Sequence, residues 1–556
     1  MKHIKYTLAA IGVALCGGML TSCEDFLTED SRGVENLDTY FQTEEEIANY
    51  TVGCYNNLTF YGWWQIEYPW MLFDVASDDL WAGNTSQDCD FYAISEFRDT
   101  QAQVGEISNF WQYRYKGILN CNIGISRVQE SNLDESITNQ YEAEMRFLRA
   151  YYYFDLTKNF GALPFITSFA MPSELEGITR TDQSEIYAFI EEELEWAAAH
   201  LPERSEYSSS DMGRATRGAV LGILAKAQLY QEKWAACAAT CQKIIDSGEY
   251  SLNANYGDCW SIAGNNSREG IFEVQFIYDA TYSLGSSIPT FTGARNGPGD
   301  GWSWFQPTSD LENAFIAAGD TERLRWSIIK CGCTEIAGED QFDEFIANND
   351  NLDATTVAAW EAEFGFDASQ SYIIRPDQHK SGRIMRKFFI PLTDRPEVYN
   401  TDKVPQNYRI LRYSDVLLMA AEAYNESGND GSARTYLNMV RNRVGLDNVI
   451  TSGNELREAI RLERRLELCF ESNRIYDIRR WKVNGSSDRV ISQIMGSNGT
   501  FVKYNATMSD PYEAYNQVES STAKGSGFRA DRDLLFPIPT YEVQQSNGSI
   551  TQNPNF

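Results

Sequence analysis

The chain has 556 residues, of which 43% are hydrophobic and 13% aromatic, which is enough apolar material for a large core. Its 79 acidic and 47 basic residues give a net charge of −32. This charge repels nucleic acid phosphates and anionic lipid surfaces, so nucleic acids are excluded as expected partners and neutral ligands are favoured over polyanionic ones.

The first 22 residues are organised like a lipoprotein signal peptide. A basic start, Met-Lys-His-Ile-Lys, precedes an apolar run that ends in Leu-Thr-Ser-Cys at 20–23. The run is shorter than the roughly 20 residues that a membrane-spanning helix needs. Because Leu-Thr-Ser-Cys resembles the bacterial lipobox, we predict that Cys23 carries lipid. The alternative is an ordinary signal peptide cut near a chance cysteine.

Residues 23–43 are predicted to form a lipidated acidic tether and residues 44–556 a single body. The tether begins with Glu-Asp-Phe-Leu-Thr-Glu-Asp at 24–30. No apolar run after Cys23 is long enough to span a bilayer, so we expect membrane contact through the lipid alone.

The body has mainly helical patterns. A Thr-x-x-Glu capping box that starts at Thr43 predicts a helix toward Leu58. Further helical patterns follow near 107–130, 136–158 and 183–200, the last one ending at a Leu-Pro pair.

Two segments predict helical hairpins, near 217–247 and 410–443. Each is rich in Ala and Tyr, and its length is close to the tetratricopeptide period of about 34 residues. We therefore predict a mostly α-helical fold built on a tetratricopeptide-like repeat scaffold, which is typical of binding proteins.

Residues 270–306 differ from the helical segments. Apolar and polar residues alternate over 271–276, after which Gly, Ser and aromatic residues dominate. This pattern predicts a strand followed by a long loop. Long loops on a rigid body commonly carry function.

The cysteines do not indicate a disulfide framework, because nine remain after Cys16 leaves with the signal and Cys23 takes lipid. The pairs at 237/241 and 331/333 lack the Cys-x-x-Cys spacing of zinc sites. We predict buried cysteines, no metal site and no cofactor. A calcium site stays open, because 348–353 is rich in oxygen ligands without the spacing of a known calcium loop.

Two patterns are interpreted as structural. The alternating charges of 455–472 are typical of a solvated or salt-bridged helix face. The aromatic run 151–154 resembles a sugar platform, but consecutive helical positions point about 100° apart, so most of these rings are expected in the core.

Five segments in chain order carry a family resemblance. They are the lipobox with Glu-Asp-Phe-Leu at 20–27, Arg-Phe-Leu-Arg-Ala-Tyr-Tyr-Tyr-Phe-Asp-Leu at 146–156, Arg-Tyr-Ser-Asp-Val-Leu-Leu-Met-Ala-Ala-Glu-Ala at 412–423, Glu-Arg-Arg-Leu-Glu-Leu at 463–468, and Leu-Phe-Pro-Ile-Pro at 535–539. Together they resemble the SusD/RagB family of outer-membrane nutrient-binding lipoproteins of the Bacteroidota. Ser472, where the family commonly has Gly, and the Asn-Phe ending depart from the pattern.

The resemblance implies a fold, a partner and a location. The fold is about four tetratricopeptide-like helix pairs packed against an irregular, loop-rich, ligand-binding half. The partner is a SusC-like TonB-dependent transporter, over which the lipoprotein sits as a hinged lid. The implied function is to capture oligosaccharides at the surface of the outer membrane and deliver them to that transporter.

Sugar-binding residues are sought in two loop regions, because aromatic rings stack on sugar C–H faces while amides and charged groups bond hydroxyls. In the family, glycan contacts come from the segment after the first helices and from a loop near the middle of the chain. Trp81 and Trp302 are favoured, because their Asp, Asn and Gly neighbours suggest exposed loop tips. The carbohydrate-binding candidates are Trp63, Trp64, Trp81, Asn84, Tyr282, Arg295, Trp302 and Trp304.

The sequence favours a binding protein over an enzyme. After Cys23 the only histidines are His200 and His379, and no nucleophile elbow, phosphate loop, zinc-protease or dinucleotide motif is found. A glycoside hydrolase stays an alternative, because it needs only two carboxylates. A peptide- or glycoprotein-binding lipoprotein in the same transporter role is the other alternative.

The lipobox generates the first prediction. Cys23→Ala removes the thiol that carries the lipid, so we expect the variant to be released from the membrane or mislocalised, as measured by cell fractionation. Surface protease and antibody should reach the unmutated protein on whole cells. Resistance of the unmutated protein to both reagents would contradict the outward placement.

Overall fold

The computed structural model describes residues 40–59, 69–83, 92–295, 301–334, 353–375, 378–399, 403–510, 512–513 and 524–556, together with Gly297 and Gly299. Most of the regular structure in these residues is helical. None of the helices in these ranges is both long enough and apolar enough to cross a membrane.

The described helices up to residue 292 include the longest ones. They are α1 (Glu44–Tyr55), α2 (Pro69–Leu72), α3 (Tyr92–Ser95), α4 (Gly105–Gln129), α5 (Glu135–Phe160), α6 (Gln183–His200), α7 (Arg217–Tyr230), α8 (Trp234–Ser247) and α9 (Ile288–Thr292). The predicted capping box is present at the start of α1, where the Thr43 side chain accepts from the Glu46 N–H.

The described helices after residue 292 are generally shorter. They are α10 (Ser309–Ala317), α11 (Thr321–Ser327), α12 (Ala354–Phe364), α13 (Tyr413–Glu426), α14 (Asp430–Arg443), α15 (Gly453–Glu467), α16 (Arg474–Arg480), α17 (Ile491–Ile494), α18 (Thr500–Thr507) and α19 (Thr540–Gln545).

Short antiparallel strand pairs connect distant parts of the chain. The strands are β1 (Leu80–Trp81), β2 (Leu163–Pro164), β3 (Arg180–Thr181), β4 (Gly270–Val274), β5 (Gln306–Pro307), β6 (Ile328–Lys330), β7 (Arg383–Met385) and β8 (Tyr408–Arg412). They pair as β1 with β5, β2 with β3, β4 with β8 and β6 with β7.

The long helices pack in chain order. Helix α4 packs on α5, α5 on α6, α6 on α7 and α7 on α8; α8 then packs on α13, which also packs on α14 and α15. The predicted hairpins are confirmed as α7–α8 and α13–α14, although 410–412 belong to β8. Close packing explains a small residue in α7, because a Cβ on Gly222 would lie 2.1 Å from the Leu411 side chain.

The core is largely one apolar cluster that includes residues from Phe41 to Ile550. The aromatic run 151–154 lies within it and is buried at all four positions, so the structural interpretation of that run is confirmed. The prediction of buried cysteines is also confirmed for seven of the described ones, whereas Cys333 is half-buried. Cys89 lies outside the described residues.

The charged helix α15 differs from its prediction in one respect. Its outer pair, Arg461 with Glu458, is a surface pair as expected. Glu463, Arg464 and Glu467 are instead fully buried, so this side of the helix is not solvated. Tertiary packing brings cations from distant segments onto these carboxylates, which spacing along a single helix does not reveal.

Arg412 is the centre of this buried network. Its guanidinium donates to Glu269 at 2.5 Å, to Glu467 at 3.1 Å and to Glu471 at 2.7 Å. Arg443 binds the first two of these carboxylates again, at 2.9 and 2.5 Å. Burial alone would raise the pKa of Glu467, but Arg443, Arg412 and other arginines together hold it well below its usual range.

The network generates the second prediction. Arg412→Met leaves three carboxylates buried with less compensation, so the free energy of unfolding should fall by about 3–5 kcal/mol. Arg127→Met removes the same type of charge from a surface pair with Glu130 and should cost less than about 1 kcal/mol. Urea unfolding measures both values, and equal losses for the two variants would contradict the assigned role of Arg412.

Candidate functional site

A loop–helix–loop unit spans residues 277–305. The short helix α9 joins the loop 277–287 to the loop 293–305. The prediction of a single long loop was therefore wrong in this detail, and the preceding strand β4 is buried at all five positions, not at alternate ones. Glycines let the second loop fold tightly, because a Cβ on Gly301 would lie 2.4 Å from the carbonyl oxygens of Gly293 and Thr290.

Main-chain hydrogen bonds to α9 fix the positions of two tryptophans in this unit. The N–H of Trp302 donates to Thr290 O and that of Trp304 to Phe291 O, both at 2.8 Å. Ser303 between them is buried with φ +60°. Trp302 and Trp304 are thus half-buried rings on a segment whose other residues are buried, and their positions are fixed by main-chain hydrogen bonds.

The two indoles and a buried phenylalanine form a compact aromatic cluster. The Trp302 and Trp304 rings lie 5.2 Å apart at 77° to each other. Phe291 stacks on Trp304 at 5.3 Å and meets Trp302 edge-on at 5.0 Å. Phe291 therefore contacts both indole rings, and the planes of the two indoles are nearly perpendicular.

Tyr282 lies on the first loop and, at 66%, is the most exposed of the predicted aromatics that the structure describes. Its N–H and that of Thr281 both donate to Asp279 Oδ1, at 2.7 Å each. Its carbonyl accepts from Lys403 Nζ at 2.6 Å. The ring is available to a ligand, while the main chain beneath it is fixed.

Trp81 is not at an exposed loop tip, so that expectation was wrong. The residue lies in β1 with 3% of its surface exposed. Its Nε1 donates to Glu513 at 3.3 Å, and Lys380 Nζ lies 4.1 Å from the ring centroid. Burial lowers the pKa of Lys380 to about 8. Pairing of β1 with β5 draws this segment into the interior, which the Asp and Gly neighbours of Trp81 did not indicate.

The same strand pairing brings together the two predicted loop regions. Trp81 is registered against Gln306, and the Phe305 N–H donates to Ala82 O at 3.2 Å. Arg295 supports the tryptophan loop, because its guanidinium donates to Trp302 O at 3.3 Å. The remaining candidates, Trp63, Trp64 and Asn84, lie outside the described residues, as does Cys23.

A recess of about 430 Å³ adjoins the Tyr282 loop. It lies between the C-terminal end of α1, the segment 210–214 and the loop 277–285. Exposed apolar side chains line it, namely Val52, Met212, Ile277 and Leu284. A volume of this size is within the range of small-ligand pockets.

Sequence reasoning missed Phe291, Asp279 and Lys403. An Asp placed two or three residues before an aromatic is a known turn signal, so Asp279 could have been found. Phe291 and Lys403 carry no such signal, because their contacts to the tryptophans and to Tyr282 exist only after the chain folds.

Two family models match the chain. One, described as the SusD family, matches residues 268–556. The other, described as "Starch-binding associating with outer membrane", matches residues 25–229. Between them they cover most of the chain, including the aromatic loops.

Known proteins resemble the chain over most of its length. SusD-like protein P25 of Formosa agariphila is 28% identical over 83% of this chain and 87% of its own. A solved laminarin-binding SusD-like protein is 25% identical with a TM-score of 0.71, covering 93% of this chain and 100% of its own. Surface glycan-binding protein A of Bacteroides thetaiotaomicron, solved with laminarihexaose, is 21% identical with a TM-score of 0.68, covering 92% and 99%, which shows a shared fold.

The different environments of Trp81 and Tyr282 generate the third prediction. Trp81→Ala removes a buried ring and should lower the free energy of unfolding by about 3–5 kcal/mol. Tyr282→Ala removes an exposed ring, so its effect should stay within about 0.5 kcal/mol. Thermal and urea unfolding measure both variants. A stable Trp81→Ala protein would contradict the buried position, and a destabilised Tyr282→Ala protein the exposed one.

Proposed function

The chain belongs to the SusD family, and from this we propose that it is a lipid-anchored surface protein that binds neutral oligosaccharides and passes them to a SusC-like TonB-dependent transporter. The family is one of glycan-binding proteins, and one matched family description places its members at the outer membrane. The matched descriptions are of binding proteins, which favours a binder over a hydrolase.

The observation that carries the proposal is the set of Tyr282, Trp302 and Trp304 on one continuous unit. Neutral sugars offer C–H faces to aromatic rings and hydroxyls to polar groups, and they need no ionic partner. A chain of net charge −32 is compatible with such a ligand, since a neutral glycan is neither steered nor repelled by it.

Laminarin oligosaccharides are the first ligands to try. The solved relative at 25% identity is described as laminarin-binding. The perpendicular indoles support a curved or twisted chain, because a flat, ribbon-like glycan stacked on Trp302 would present only an edge to Trp304. We propose a neutral glucan of this kind as the ligand class.

The location and partner complete the proposal. Lipid on Cys23, followed by the acidic tether, would hold the body at the outer face of the outer membrane. A surface protein that captures glycans needs a route for them across that membrane, and the SusC-like barrel is the route that the family implies. Affinity purification through a tag on the native chain should recover the barrel, and its absence would argue against the partnership.

The fourth prediction tests the aromatic site by isothermal titration calorimetry with laminarihexaose. Stacking on one aromatic ring is worth about 1–3 kcal/mol for nucleic acid bases, and we apply that scale to a sugar face. Trp302→Ala should then weaken binding roughly tenfold to a hundredfold. Trp234→Ala is the matched control, since it removes another half-buried tryptophan, from α8, and should leave Kd unchanged.

Three results would count against the proposal. Equal losses of affinity for Trp302→Ala and Trp234→Ala would move the site away from the aromatic loops. Binding to a peptide panel without detectable binding to a glycan array would favour the peptide- or glycoprotein-binding alternative. Release of reducing ends from polysaccharide by the purified protein would indicate a hydrolase.

A further inference from the structure

The loop that carries Tyr282 is attached to the segment 403–404 by both side-chain and main-chain bonds. Lys403 Nζ donates to Tyr282 O at 2.6 Å. One residue further along, Val404 O accepts from the Ser286 N–H at 2.7 Å. A Cβ on Gly285 would lie 2.4 Å from the Lys403 carbonyl carbon, so the two segments touch at their main chains.

Lys403 is a buried charged group, with 5% of its surface exposed. In the part of the chain that the structure describes, no carboxylate lies within salt-bridge distance of its ammonium group, and its hydrogen-bond partner is the Tyr282 carbonyl. Burying an ammonium group with a neutral partner is unfavourable. The bond to the Tyr282 carbonyl satisfies this buried donor and restrains the main chain of one surface residue, and the ammonium group also attracts the Asp279 carboxylate.

Asp279 bonds the main chain of the same residue, Tyr282, on its N–H side. It accepts both the Thr281 and Tyr282 N–H groups at 2.7 Å, which forms a tight turn. The N–H of Ile277 donates to Leu284 O at 3.0 Å and closes the base of the loop. The Tyr282 N–H is thus bonded to a carboxylate and the Tyr282 C=O to an ammonium group, while the ring stays exposed.

We propose that Lys403 and Asp279 are positioning residues that hold the main chain of Tyr282, and so the place from which its ring projects, ready for a sugar before the ligand arrives. This inference rests on the proposed glycan site. A free loop must be ordered when the ligand binds, and that ordering opposes binding. A loop that is already ordered avoids this loss, so removing either bond should weaken binding without removing any contact to the sugar.

The first test needs no ligand. Hydrogen exchange of the mature protein should show faster exchange at the amides of 277–287 in Lys403→Met and Asp279→Ala, because local opening controls exchange. Asp279→Asn keeps an oxygen acceptor and should stay near the unmutated rate. Lys482→Met removes an equal charge from an exposed lysine paired with Glu232 and should leave this loop unchanged. Unchanged exchange in both Lys403→Met and Asp279→Ala would overturn the inference.

The second test is a double-mutant cycle measured with laminarihexaose. Lys403→Met should weaken binding roughly three- to tenfold when Tyr282 is present, and it should have no further effect in a Tyr282→Ala background. Lys403→Arg retains a donor and should restore most of the affinity. Equal losses in both backgrounds would mean a general structural role and would overturn the inference.

The two proposals fail in different ways. If Tyr282→Ala binds laminarihexaose as well as the unmutated protein, or if neither binds it, Tyr282 has no role in binding this glucan, and both the proposed site and the inference are overturned. If Tyr282→Ala weakens binding but Lys403→Met and Asp279→Ala do not, the glycan site stands and only the positioning role is rejected.

Discussion

The fold depends on one buried ion-pair network that joins segments far apart in the sequence. Arg412 binds three carboxylates at the junction of β8 and α13, and Arg443 at the end of α14 binds two of them again. Their partners come from the residue before β4 and from the end of α15 onward. Removing a single member leaves unpaired charge in the interior, which is strongly unfavourable, so these elements keep the arrangement in which the charges are paired.

The network and the candidate site lie at opposite ends of one strand pair. Strand β4 begins beside Glu269 and leads into the loop that carries Tyr282. Strand β8 begins soon after Lys403 and ends at Arg412. Five residues of antiparallel strand extend about 17 Å, so the irregular β4–β8 ladder connects the buried charges to the Tyr282 loop. The aromatic unit therefore follows directly from this strand pair.

The site combines a fixed main chain with one exposed ring, Tyr282, and two half-buried indoles. The tryptophan loop is closed by glycine contacts and main-chain hydrogen bonds to α9, and Phe291 supports both indoles. The Tyr282 loop is held differently, by two charged side chains that bond the N–H and the C=O of Tyr282. Both sets of bonds reduce the loop entropy that is lost when a ligand binds. This matters for a neutral ligand, because it offers no strong ionic attraction to offset that loss.

The sequence alone determined the features that depend on local patterns. The helix that begins after Thr43, the α7–α8 and α13–α14 hairpins and the burial of the 151–154 aromatics follow from capping, periodicity and helical geometry, and the ordered motifs identified the family. The lipidation of Cys23 is likewise a prediction from local pattern and stays one.

Only the tertiary structure decided which rings face solvent and which charges are buried. Trp81 and Trp302 have similar neighbours in the sequence, yet β1–β5 pairing buries the first and leaves the second at the surface. Glu467 has the sequence context of a surface residue, and it is buried because arginines from distant segments converge on it. Burial is a property of what packs against a residue, and for these residues the packing partners lie tens to hundreds of positions away in the chain.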